Sequence, residues 1–206
     1  MMVLNLYAGI GSNRKLWEGV EVTAVENDPD IAAVYRELYP NDTIIRGDAH
    51  KYLEENWKNF DFIWSSPPCP SHGQYRHNVG VVGKGLAPIM PDMKLYAEII
   101  FLQTYFVKGM WVIENVKPYY VPLIAPAFEL HRHLFWANFT VIERDFAPSK
   151  IRSKNKISDF EGSEIVAKSK IKNKRQVLRN CVDSELGLYI LKSATNQNRF
   201  KSCPLE

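Results

Sequence analysis

Residues 3–13 read VLNLYAGIGSN and residues 22–30 read VTAVENDPD. Each is a short apolar run that stops at a turn-forming cluster. The first ends in Gly9 and Gly11, which permit a tight turn where a ligand can approach the backbone. Beyond that turn a helix carrying Leu16 and Trp17 is expected. In the second stretch, Asp28 followed by Pro29 predicts a helix N-cap with proline at the first helical position. Ile31, Val34, Tyr35 and Leu38 then recur at helical spacing. With 3–7 and 21–25 as the first two strands, further apolar runs at 43–45, 61–65 and 110–114 predict three more. Between the last two, 92–108 predicts a longer helix, with Leu95, Ile99, Leu102 and Phe106 on one stripe and Ile100 beside it. Such alternation predicts an α/β fold, a mostly parallel sheet with helices on both faces.

Past Pro118 the pattern changes. Residues 130–136 and 139–143 predict an antiparallel pair at the sheet edge, with Ala137-Asn138 as its turn. Residues 147–175 are polar and basic with little periodicity. A last helix is expected over 183–193, with a mobile tail after Ala194. The chain divides into a main domain at 1–146, a basic segment at 147–176, and a C-terminal piece at 177–206 that rejoins the main domain.

The composition, 46% hydrophobic and 24% charged over 206 residues, is that of a globular protein with room for one core. Cys69, Cys181 and Cys203 lie far apart and form no CxxC pair, which argues against a disulfide framework or a zinc site and for a reducing compartment. The first residues lack a basic leader, and the apolar stretch 96–113 is broken by Glu98, Gln103 and Lys108. A cytoplasmic protein without a membrane span is expected. The net charge of +3 conceals an asymmetry, because 150–175 holds nine basic and three acidic residues. Such a segment is either a solvated loop or a surface that contacts phosphates.

Three successive strand ends carry groups suited to a nucleotide-like ligand: the Gly9/Gly11 turn, Glu26 for ribose hydroxyls, and Asp48 for an adenine amino group. Each alone also fits a plain α/β turn, but ligands bind at these carboxyl ends in open α/β sheets. The fourth strand ends in IWSSPPCPSHGQ, residues 63–74. Pro-Pro-Cys-Pro is neither helix nor mid-sheet, because three of its four residues lack a backbone N–H. It is a rigid turn that presents Cys69. The next strand, MWVIEN, places Glu114 at its own carboxyl end. If the two strands are near neighbours, a thiol and a carboxyl face one pocket. That pairing suits addition of a thiolate to an electrophilic ring carbon while the carboxyl donates a hydrogen bond or proton to the ring. Burial behind Trp111, Val112 and Ile113 would keep Glu114 protonated.

The order NLYAGIGS, VENDPD, GDA, SSPPCPSHGQ, VIENVKP, HRHLFWANF, RNCV resembles the DNA cytosine-5 methyltransferase family over most of 3–139 and about 180–190. The resemblance implies a Rossmann-like methyltransferase fold with S-adenosyl-L-methionine as cofactor. It would be bound by Tyr7, Ala8, Gly9, Gly11, Ser12, Glu26, Asn27, Asp48, Ala49 and Pro68, with Asn180 and Val182 closing the site. It also implies that Cys69 attacks C6 of cytosine, that Glu114 engages N3, that Arg132 and His133 assist, and that the methyl group goes to C5. The target base must leave the duplex for this chemistry. The glycine-containing loop 71–91 is either a lid over that base or a segment without a role. Contacts to double-stranded DNA are expected from Ser71, His72, Arg76 and Lys84 on this loop, and from Lys154, Lys156, Lys172, Lys174 and Arg175. Amino-methyltransferases carry an aromatic residue after Ser/Asn/Asp-Pro-Pro, where this chain has Cys69.

Two departures stand out. His131 and His133 occupy the positions of the family's Arg-x-Arg, with Arg132 between them. Only 44 residues lie between Phe135 and Asn180, a region where a longer target recognition domain is usual. Short-site or relaxed specificity follows, or dependence on a partner protein that reads the site, as in a compact phage or restriction-modification enzyme. Methylation of RNA, or a non-catalytic cofactor- and DNA-binding protein, are the competing readings.

Overall fold

The computed structural model describes residues 1–142, 144, 146 and 163–201. Its centre is a seven-stranded sheet, ordered β3-β2-β1-β4-β5-β7-β6. The strands are β1 (Met2–Leu6), β2 (Glu21–Glu26), β3 (Thr43–Arg46), β4 (Phe62–Ser65), β5 (Met110–Val116), β6 (Phe128–Leu130) and β7 (His133–Ala137). The first five run parallel, and β7 and β6 complete the sheet antiparallel. The order reverses between β1 and β4, so their carboxyl ends open a crevice at the switch point.

Val3, Leu4, Leu6, Ile63, Trp64, Val112 and Ile113 are fully buried. Strands covered on both faces read as continuous apolar runs, which is why β1, β4 and β5 stand out in the sequence, whereas β3 is only half-buried. One face is packed by α2 (Ala49–Asn56) and α3 (Lys94–Tyr105), through Leu53, Leu95, Ile99 and Leu102. Against the other lies α6 (Ser184–Lys201), with Leu186, Ile190 and Ala194 beside Trp64, Val112 and Phe135. The helix α1 (Pro29–Leu38) starts as expected: the Asp28 carboxylate accepts from Asp30 N–H and Ile31 N–H. Two short helices, α4 (Ser163–Lys168) and α5 (Lys174–Arg179), share a small core with Ile10, Val34 and Cys181.

Three expectations require correction. No helix carries Leu16 and Trp17; 12–16 form successive turns closed by bonds such as Arg14 N–H to Gly11 C=O. Tertiary ties override the helical spacing there. Arg14 forks onto Asp42 at 2.7 and 2.8 Å, Asn13 pairs its amide with Asn5 at 2.9 Å, and Gly187 of α6 packs against the Asn13 backbone. The edge hairpin turns at His131-Arg132 and not at Ala137-Asn138, with Leu130 paired to His133. Asn138 instead bridges to the start of β5, accepting from Trp111 N–H and donating to Gly109 C=O. Finally, α6 continues to Lys201 where a mobile tail was expected. No described helix is long and apolar enough to cross a membrane.

Candidate active site

The carboxyl ends of β1 to β3 are built from backbone. At the end of β1, Tyr7 and Gly9 adopt left-handed φ of 54° and 56°, an unusual setting for the tyrosine. Such a residue costs about 1–3 kcal/mol and persists only where its surroundings fix it. The turn directs Ala8 N–H to Val25 C=O and Gly9 N–H to the Glu26 carboxylate, at 3.0 and 2.9 Å. Glu26 also accepts from Asp28 N–H at 2.9 Å. Burial raises the Glu26 pKa, while the N–H groups of Asp28, Gly9 and Asn27 pull it back. Gly11, at φ 76°, lies where a Cβ would meet the Tyr39 and Tyr35 rings at 2.5 and 2.6 Å.

Beyond β3, the exposed Asp48 carboxylate caps α2 by accepting from His50 N–H and Lys51 N–H. Those bonds and Lys94 at 3.4 Å hold its pKa below the usual value. A Cβ added at Gly9 or Gly47 would meet nothing within 4 Å, so the carboxyl ends of β1 to β3 line open space. Two carboxylates, a glycine turn and that space fit an adenosyl group. Asn27 is exposed beside Glu26, and Ala49 is buried at the start of α2. Ser12 is half-buried and hydrogen-bonded to the Cys181 thiol, which draws 180–182 against the glycine turn. Asn180 is exposed there, whereas the Val182 side chain packs into the core with Leu186.

The carboxyl ends of β4 and β5 are built from buried side chains. β4 and β5 are direct neighbours, with Ser65 opposite Ile113, so Cys69 and Glu114 emerge from adjacent carboxyl ends. Pro68 is exposed and Cys69 half-buried in the turn, whose Pro67 C=O accepts from the Asn115 side chain at 3.0 Å. Cys69 C=O accepts from both His72 N–H and Gly73 N–H. Burial and the Glu114 charge push the Cys69 thiol pKa up, and Arg132 opposes them. Glu114 is 7% exposed. Its burial lifts the carboxyl to about 7, against the Ser66 hydroxyl and Arg132.

His133 Nε2 lies 3.5 Å from Glu114 Oε1. Burial, with Arg132 and His131 nearby, pushes His133 down to about 3, so the contact joins a neutral imidazole to the carboxyl and is no salt bridge near pH 7. His131 holds the first turn position at φ 55°, and Arg132 donates to Arg179 C=O, tying the hairpin tip to the end of α5.

The expected nucleic-acid contacts separate into groups. Lys84, Lys172 and Arg175 are exposed, and Lys174 donates to Ala167 C=O at 2.5 Å. Arg76 donates to Ala87 C=O and braces its own loop, which forms a π-helical turn over Arg76–Val82. Ser71 accepts from Asp92 N–H at 3.0 Å. His72 is buried, with Nδ1 2.5 Å from the Tyr120 hydroxyl, and faces away from solvent. Lys154 and Lys156 lie outside the described residues.

Residues 1–118 match the family described as C-5 cytosine-specific DNA methylase. The chain belongs to that family. Among curated proteins none matches. Similar solved structures include a hypothetical protein of Thermus thermophilus, at 19% identity and TM-score 0.45, covering 66% of this chain and 73% of that one. A DNMT2 mutant of Spodoptera frugiperda is 22% identical with TM-score 0.39, covering 56% of this chain and 35% of that one. A prophage-encoded putative DNA modification methyltransferase of E. coli is 19% identical with TM-score 0.36, covering 57% and 32%. The chain thus spans about a third of the length of the latter two proteins. Membership of this family implies S-adenosyl-L-methionine as the cofactor.

Sequence reasoning overlooked Asn115, Ser66 and Glu98. Ser66 lies within SSPPCPSHGQ and Asn115 within VIENVKP, and neither type of side chain signals a role there. Glu98 stood out only as a break in an apolar stretch, yet it is fully buried.

Proposed function

We propose that the chain methylates C5 of cytosine in double-stranded DNA through a covalent bond between Cys69 and C6 of a base flipped out of the helix. Bound S-adenosyl-L-methionine supplies an electrophilic methyl carbon. Tyr7, Ala8, Gly9, Gly11, Ser12, Glu26, Asn27, Asp48, Ala49, Pro68, Asn180 and Val182 are the proposed surroundings of that cofactor. The Cys69 thiolate adds its electron pair to C6 while Glu114 donates a hydrogen bond or proton to N3, which makes C6 electrophilic. C5 would then form its bond to the methyl carbon as the carbon–sulfonium bond breaks, the electron pair leaving with S-adenosyl-L-homocysteine, and N3 would return its proton to Glu114. Loss of the C5 proton to solvent then breaks the C6–S bond, restores the ring and frees the thiolate.

The observation that carries this reading is a thiol and a carboxyl at adjacent strand ends, with the carboxyl lifted to about 7 by burial. A protonated Glu114 also removes the repulsion that opposes thiolate formation at Cys69. Arg132 then favours the thiolate, and His133 shields the pair as a neutral neighbour. Lys84, Lys172 and Arg175, with Lys154 and Lys156, contact phosphates; such contacts position the protein and read no sequence. We assign 1–146 to the catalytic domain, 147–176 to a reduced DNA-contact segment, and 177–206 to completion of the cofactor site. Recognition of a short site, or through a partner protein, follows.

Competition between duplex DNA and tRNA for labelled methyl groups tests the substrate. Label recovered as 5-methylcytosine in duplex DNA is expected. Label confined to tRNA moves the same chemistry to RNA, and cofactor binding with no label in either makes the chain a binding protein.

A further inference from the structure

Glu98 occupies a core position on α3 between Leu95, Ile99 and Leu102 and is 0% exposed. A carboxylate there is tolerated only when its lone pairs are filled. Oε1 accepts from the Tyr7 hydroxyl at 2.6 Å and from His50 Nδ1–H at 2.9 Å, and Oε2 accepts from the Ser65 hydroxyl at 2.6 Å. Every donor comes from a different segment, and each segment leads into the site. Tyr7 is the left-handed residue before the Ala8-Gly9 turn. His50 sits in the first turn of α2, behind Asp48. Ser65 ends β4, next to the Glu114-bonded Ser66 and the turn to Cys69.

We propose that Glu98 is a positioning residue that fixes the cofactor turn and the cysteine turn in one mutual register, so that cofactor affinity and Cys69 reactivity both depend on it. Hydroxyls on Tyr7 and Ser65 aim at one buried carboxylate, which a purely apolar clamp would not need. The inference rests on the proposed function for the identity of the ligand and of the nucleophile, while its geometry stands apart from the nucleic-acid substrate.

The test uses the full chain without nucleic acid. Affinity for S-adenosyl-L-methionine is measured by calorimetry, and alkylation of Cys69 by iodoacetamide is followed by peptide mapping, which separates it from Cys181 and Cys203. Glu98→Ala is expected to weaken cofactor binding about tenfold and to change the Cys69 alkylation rate several-fold, the scale of a lost buried hydrogen bond. Tyr7→Phe should move only the cofactor arm and Ser65→Ala only the cysteine arm. Glu98→Gln, which keeps the shape and one acceptor oxygen, should recover part of both. A Glu98→Gln or Glu98→Ala protein that melts lower but keeps both readouts at wild-type values overturns the proposal. If Glu98→Ala does not fold, Tyr7→Phe and Ser65→Ala decide, and wild-type values in both refute it. A wild-type chain that binds no S-adenosyl-L-methionine sinks the functional reading, while the Cys69 arm still tests the clamp.

Discussion

The carboxyl ends of β1 to β3 and those of β4 and β5 carry the same kinds of side chain in opposite settings. Asp48 is exposed, filled by backbone N–H groups at a helix start, and holds its charge. Glu26 is more buried, yet three backbone N–H groups counter the desolvation. Glu114 has only the Ser66 hydroxyl and the charge of Arg132 against its burial, and it holds its proton to about pH 7. Under the proposed function, backbone donors make a binding half from carboxylates, and their scarcity makes an acid half of the other.

The largest expected effect lies in the acid half. Cys69→Ser should lower methyl transfer by at least about 10^3-fold while cofactor binding persists, because Cys69 is the proposed nucleophile and no part of the proposed cradle. Calorimetry and radiolabel transfer on one preparation separate the two halves. Conversely, Gly11→Ala should strike the binding half. A left-handed φ and a Cβ at 2.5 Å from the Tyr39 ring predict a loss of about 2 kcal/mol or more in stability, with weakened cofactor binding, by urea denaturation and calorimetry.

The contrast in charge predicts a pH effect with a definite sign. Glu114 is lifted from 4.5 to about 7, so the folded state holds a proton that the unfolded chain has released. The resulting stabilisation is full below about pH 4.5 and is lost as pH rises through 7, a change of about 3 kcal/mol. Comparing urea midpoints at pH 5 and pH 8 should show this contribution in the wild type and its absence in Glu114→Gln. A smaller shift is expected for His133→Arg, which sets a cation against Glu114. The midpoint of the activity–pH profile should fall by about one pH unit. Smallest of all, Lys172→Ala should reduce the salt slope of DNA binding by about one, with no change in site preference.

The two halves also differed in how readily they could be read from sequence. β1, β4 and β5 are visible because burial on both faces demands apolar runs, β2 and the half-buried β3 because turn-forming residues bound them, and α1 because Asp28-Pro29 is a local signal. The cysteine turn was legible because three prolines leave few conformations. The edge hairpin was misread because its turn relies on His131 at positive φ, a setting that residue type does not advertise. The expected helix after Gly11 is absent because Arg14, Asn13 and Gly187 answer to distant partners. Glu98 was opaque for the same reason. Its donors lie 91, 48 and 33 residues away, and only the fold brings them to one carboxylate.

The central claim is that Cys69 is a nucleophile toward cytosine C6, prepared by its neighbour Glu114. The direct measurement is the intact mass of the protein after incubation with duplex DNA carrying 5-fluorocytosine and with S-adenosyl-L-methionine, because fluorine at C5 blocks the final elimination. A denaturation-resistant adduct that maps to Cys69 and disappears in Cys69→Ser is the predicted result. Methylated cytosine formed from ordinary duplex DNA with no adduct at Cys69 would contradict the account.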